Sequence, residues 1–181
     1  MNNQHFIGQY EVEFKYRLPS KALFWQTLTS MSYETMLENN IEQDLYFDTP
    51  NRELTRHHKS LCIRQMRPSD ICLWIVKGPE PDRCEAVNIT DTHKAASMLK
   101  TMGYDVIQTM TKTRSIYFLG EYHVTLDHLD GLGDFAEFAI MTDDSSLLER
   151  YKDELKEVAA RFGLTDANLE TRSYRDMVQV G

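Results

Sequence analysis

In the run YEVEFKYRL, Tyr10–Leu18, the charges alternate with the hydrophobes. Read as a strand, it places Glu11, Glu13, Lys15 and Arg17 on one face and Tyr10, Val12, Phe14 and Tyr16 on the other. The device recurs along the chain. Arg64 lies inside LCIRQM, Lys77 ends CLWIVK, and Glu85 shares a face with Arg83 in RCEAV. Lys112 and Arg114 open TKTRSIYF together, Asp127 lies inside HVTLDHL, and Glu137 inside DFAEFAI. Lone charges between large hydrophobes are costly to bury singly but reasonable to bury together around water, metal and a charged ligand. A polyphosphate suits that set. Lys15, Arg64, Lys77, Lys112 and Arg114 can neutralise its oxygens, the arginines with paired donors. Glu11, Glu13 and Glu137 would repel those oxygens unless a divalent cation stood between, and Mg²⁺ or Mn²⁺ takes that mixture of ligands. An open sandwich with the charges in water accounts for the same alternation.

The elements that must carry these residues are mostly strands. Beyond Tyr10–Leu18, strand-like runs cover Gln43–Phe47, Ser60–Met66, Ile71–Lys77, Arg83–Ile89, Lys112–Leu119, Glu121–His128 and Asp134–Met141. Turn signals such as Asp48-Thr49-Pro50-Asn51, Gly78-Pro79 and Asp130-Gly131 separate them. A helix is predicted from Ser20, a plausible N-cap, to about Ser30. A second follows Asp91 and stops at Gly103, a third runs from about Asp144 to Gly163, and a short one spans Tyr174–Val178. The pattern points to an α+β chain, mainly antiparallel, built as a barrel or a sandwich with helices as covers.

With 181 residues and no linker-like stretch, one domain over residues 1–181 is expected. The formal charge of −8 excludes a broad nucleic-acid surface. No apolar run approaches membrane-spanning length and no signal peptide is visible, so a cytoplasmic address is expected. Cys62, Cys72 and Cys84 match no zinc spacing and read as free thiols. The six histidines read as non-catalytic, and Trp25 and Trp74 as core.

The order of these motifs resembles the CYTH superfamily, also called triphosphate tunnel metalloenzymes. The ExExK run Glu11–Lys15 is followed by YFDTPNREL, Leu61-x-Ile63-Arg64, Trp74–Pro79, Arg83–Glu85, Lys112-x-Arg114, Asp127 and Phe135-x-Glu137. Within it the chain is similar to the class IV adenylyl cyclases of bacteria. LWIVKGP at Leu73–Pro79, RCEA, RSIYF, DHLDGLGDFAE at Asp127–Glu137 and RSYR at Arg172–Arg175 carry that likeness. One departure stands out. Where many members have FxExE on the last barrel strand, this chain has Ala139 in place of the second acid.

The resemblance implies a closed eight-stranded tunnel-like barrel with helices outside, and the conversion of ATP to 3′,5′-cyclic AMP and pyrophosphate. It implies Glu11, Glu13, Glu137 and Asp127 as metal ligands for Mg²⁺ or Mn²⁺, and Lys15, Arg64, Lys77, Lys112 and Arg114 as phosphate ligands. Lys15, Asp127 and Arg114 are expected to serve the chemical step, with Glu85 as a supporting residue. A homodimer without nucleic-acid or membrane partners is expected. Two rivals remain: a metal-dependent triphosphatase of the same fold, acting on inorganic or thiamine triphosphate, and a non-catalytic polyphosphate or nucleotide binder.

Overall fold

The alternating run at the start of the chain forms strand β1, Tyr10–Arg17, in the computed structural model, which describes residues 3–179. Helix α1 follows at Lys21–Thr29, with the Ser20 hydroxyl accepting from the Leu23 amide as its N-cap. Then come β2 (Glu34–Asp48), α2 (Glu53–Arg56), β3 (Ser60–Arg67), β4 (Cys72–Lys77), β5 (Cys84–Asn88) and α3 (Thr92–Thr101). The rest is β6 (Asp105–Leu119), β7 (Tyr122–Leu129), β8 (Gly133–Thr142), α4 (Leu148–Arg161) and α5 (Tyr174–Gln179). The eight strands make one sheet in the order β1-β8-β7-β6-β2-β3-β4-β5. Its defined pairings are antiparallel. Among the described residues no helix is long and apolar enough to cross a membrane.

The chain divides into two compact units, one of residues up to Asn39 and from Lys112 onward, the other Asn40–Thr111. In the first, one sheet face is apolar. Val12 and Tyr16 of β1, Tyr117 of β6, Val124 and Leu126 of β7 and Ala136, Phe138 and Ile140 of β8 lie on it. They pack with Phe24 and Leu28 of α1 and Leu155, Val158 and Ala159 of α4. Each large side chain buried there contributes about 1.5–3 kcal/mol. In the second unit, Phe47, Leu61 and Ile63 pack with Ala95 and Leu99 of α3, with Leu45 and Trp74 alongside. Asp91 caps α3 through the Lys94 amide. Trp25 meets Tyr117 edge-on, and both tryptophans are partly buried and pack against these core clusters.

The YFDTPNREL segment folds around Asp48. Its carboxylate accepts from the amides of Thr49, Leu54 and Thr55 and from the Thr55 hydroxyl, at 2.6–3.0 Å. Burial opposes its charge, but those donors prevail and hold its pKa below the usual carboxylate value. Gly78 has φ +85°, and a Cβ there would stand 2.0 Å from the His58 carbonyl oxygen. Only glycine fits that turn.

Two strands far exceed their predicted lengths. Gln43–Phe47 is the end of the 15-residue β2, and Lys112–Leu119 the end of the 15-residue β6. The cause in β2 is a change of phase. Leu37 is buried, but beyond Asn39, with φ +50°, burial shifts to Asn40, Glu42 and Asp44. An irregular residue of this kind breaks the two-residue period by which a strand is read.

Candidate active site

The opposite face of the first unit's sheet is ionic, and its register follows from the pairing. Lys15 stands opposite Glu137, Glu137 opposite Thr125, and Arg114 opposite Asp127. Lys15, Lys112, Arg114, Asp127 and Glu137 are all buried. The solvated alternative for these charges is therefore not what the chain adopts. Three cations face two carboxylates in this buried set, an excess that suits a polyanion. Glu11 and Glu13 share the face and are half-buried. Arg17, at the end of the same row, is exposed and bonds to Glu170.

Arg114 organises the centre. Its Nε and Nη2 donate to the two oxygens of Asp127 at 2.7 and 2.6 Å, and Nη2 also donates to Glu137 Oε2. Asp127, fully buried, also accepts from the Tyr174 hydroxyl at 2.7 Å and from Thr125 at 3.2 Å. Four donors thus occupy its oxygens, and its contacts are those of a side chain that fixes Arg114. Lys15 Nζ donates to the Arg172 carbonyl at 2.9 Å and stands 4.0 Å from Glu137 Oε1.

A second row crosses the sheet at Glu13. It runs Glu13, Ala139, His123, Phe118 across β1, β8, β7 and β6. The Ala139 departure thus leaves a small side chain between a carboxylate and a histidine. The His5 ring stacks on Phe118 with centroids 3.8 Å apart. His123 is buried, and its Nε2 has no hydrogen-bond partner. Burial, opposed by the Glu11 charge, pushes its pKa down to about 4.

A divalent cation can be tested against this donor set. Glu13 and Glu137 are diagonal neighbours on paired strands, within reach of a common ion, and Glu11 lies on the same face. Their hard oxygens fit Mg²⁺ or Mn²⁺. Among the described residues, no three of His, Cys, Asp and Glu converge tightly enough to hold a metal by themselves. Such an ion would therefore complete its shell with water and phosphate oxygens, the arrangement Mg²⁺ favours.

The second unit carries its own ionic cluster. Arg64 donates to both oxygens of Asp44 at 2.8 and 2.9 Å and lies 2.9 Å from Glu42 Oε1. Burial works against the Arg64 cation, but Asp44 and Glu42 more than offset it and raise its pKa further. Lys77 is exposed and lines a cavity of about 520 Å³ with His58, Lys59, Ser60, Gly78 and Pro79. Glu85, expected as a supporting residue, meets the cation Arg83. It pairs opposite Val76 and so lies on the sheet face away from Lys77, where it bonds to Arg83 at 3.1 Å. That pair is a solvent-facing one of small energetic weight.

Sequence reasoning missed Glu42, Asp44, Thr125 and Tyr174. Asp44 and Glu42 had a readable signal, since both share parity with Tyr46 in the YFDTP strand, as Asp44 stands opposite Arg64. Tyr174 is 47 residues from Asp127, and only folding joins them.

A family model described as the CYTH domain matches residues 9–174, nearly the whole chain. The chain belongs to the CYTH domain family. Members of this family generally use a divalent metal. Among curated relatives, the CYTH chain is 59% identical to the adenylate cyclase CyaB of Aeromonas hydrophila, covering 99% of this chain and 94% of that one. Among solved structures it matches a Vibrio parahaemolyticus protein assigned as a candidate adenylate cyclase, with a TM-score of 0.93, 53% identity and coverage of 96% and 99%. A conserved Pyrococcus furiosus protein of unassigned function matches with a TM-score of 0.76 at 26% identity, covering 92% and 98%. The expected antiparallel α+β CYTH architecture is what these likenesses and the sheet order support.

Proposed function

We propose that this CYTH chain is an adenylyl cyclase that converts ATP to 3′,5′-cyclic AMP and pyrophosphate. The carrying observation is the 59% identity to the Aeromonas hydrophila adenylate cyclase across almost the full length of both chains. The buried ionic face supplies a chemical basis. In the reaction the ribose 3′-oxygen attacks the α-phosphorus in line. The new P–O bond forms as the bond to the bridging oxygen breaks, pyrophosphate leaves, and the hydroxyl proton passes to solvent water.

Lys15, Lys112 and Arg114 offset the phosphate charge, and Asp127 holds the Arg114 fork in its orientation. Lys15 is assigned to phosphate binding. Its Nζ lies on the buried ionic face beside Glu137, where phosphate oxygens would meet it. Arg64 and Lys77 are proposed as further phosphate ligands on the strength of the resemblance. Glu11, Glu13 and Glu137 would hold Mg²⁺ or Mn²⁺, which when bound lowers the hydroxyl pKa and neutralises the leaving pyrophosphate. Asp127 serves through Arg114. The resemblance supports a cytoplasmic homodimer, and the charge of −8 argues against nucleic acid as a partner.

The test is incubation of the pure protein with ATP and Mg²⁺ or Mn²⁺, with products separated by chromatography. Cyclic AMP and pyrophosphate are expected in equal amounts. ADP with orthophosphate would overturn the reading in favour of a triphosphatase. Metal-independent binding without turnover would favour a polyphosphate binder.

A further inference from the structure

The RSYR run, Arg172–Arg175, has no part in the reaction set out above, yet it lies against the ionic face. Leu169 bridges to Tyr16, the Glu170 amide donates to the Lys15 carbonyl, and the Arg172 carbonyl takes the Lys15 ammonium. Arg172 in turn bonds to the Glu170 carboxylate and, with Arg17, pulls its pKa down to about 2. This segment delivers Tyr174 to the centre of the cluster.

Resting on the cyclase reading, we propose that Tyr174 is a positioning residue for the reaction: its hydroxyl fixes Asp127, and through it Arg114, while its ring gathers the ammonium groups of Lys15 and Lys112. The hydroxyl donates to Asp127 Oδ2 at 2.7 Å. Lys15 Nζ stands 4.1 Å and Lys112 Nζ 5.2 Å from the ring centroid. Phe135 meets the ring edge-on at 5.3 Å and limits its rotation.

Two ammonium groups near one ring repel each other. The negative ring face offsets part of that repulsion. The cations are therefore collected before a polyphosphate arrives, and less reorganisation accompanies binding. The hydroxyl acts on a different group. Asp127 aims Arg114, and the Tyr174 bond holds an oxygen that already accepts from Arg114. A ring present only to fill space needs no hydroxyl, and one buried on a carboxylate is poorly suited to mere packing.

The two halves separate by substitution. Tyr174→Phe keeps the ring and loses the donor; Tyr174→Leu loses both. Each is compared with the unaltered protein in cyclic AMP formation and in calorimetric binding of inorganic tripolyphosphate. For Tyr174→Phe, KM and the tripolyphosphate Kd are expected within about twofold of the unaltered protein while kcat falls roughly 10- to 100-fold. For Tyr174→Leu, kcat falls as far and the tripolyphosphate Kd weakens by about tenfold. Unchanged kcat in a folded Phe variant would overturn the proposal, as would unchanged tripolyphosphate affinity in a folded Leu variant. So would a lowered melting temperature with unaltered kcat and KM, the mark of a purely structural residue. If the unaltered protein forms no cyclic AMP, the cyclase reading falls and the hydroxyl half falls with it, while tripolyphosphate binding still decides the ring half.

Discussion

Glu137 faces two cations and stands diagonally from Glu13, so its replacement changes two properties in opposite directions. In Glu137→Gln, cyclic AMP formation is expected to fall by roughly 100-fold or more. Metal-free tripolyphosphate binding is expected to tighten, because an anion competing for Lys15 and Arg114 is gone. Near-normal turnover in the folded variant would remove Glu137 from the metal site. His123 gives a prediction about stability. Its folded pKa of about 4 lies below the value near 6.5 of an unfolded chain, so the unfolded state binds the proton first. The neutral ring's contribution is complete above about pH 6.5 and is lost as pH falls toward 4, roughly 2 kcal/mol of it by pH 5. Denaturant melts of the unaltered protein and of His123→Leu at pH 7.5 and 5 check this, and the variant should lose that much less. The individual charges were legible because each interrupts an apolar run. Their partners were not, since Asp127 and Tyr174 meet only across 47 residues of chain.

Elements hold these residues through a few local contacts, and Asp48 is the clearest. Asp48→Ala removes an acceptor for four donors and is expected to cost about 2–3 kcal/mol, read from urea melts. An unchanged midpoint would show that water replaces the carboxylate. Caps and stops were readable at this scale. Ser20 and Asp91 begin their helices as their types suggest, and α3 and α4 end just before Gly103 and Gly163. The first half of β2 was not readable. A strand is recognised by strict alternation, and Asn39 interrupts it, while Glu34, Thr35, Glu38 and Asn39 leave both sides of the segment polar. The YFDTPNREL run illustrates a different limit. It helps to mark the family, yet its aspartate builds a turn.

At the scale of the molecule, strand parity separates two properties in the first unit. Even positions of β1 and β8 enter the core, and odd ones enter the ionic face. The antiparallel plan was legible because alternation alone implies a sheet with unlike faces. The extra length of β2 and β6, and the division into two units, depend on contacts that no local pattern encodes. The join between Lys15 and the Arg172 carbonyl also bears on how the protein is made. The two residues lie 157 positions apart. At about 5–20 residues per second, roughly 8–30 seconds of translation separate them. A nascent chain therefore carries its phosphate-directed lysine long before it carries the strap that orients it. On the cyclase reading, fragments that stop short of Tyr174 lack the contact that holds Asp127 and are expected to be at least as impaired as the Tyr174→Leu variant.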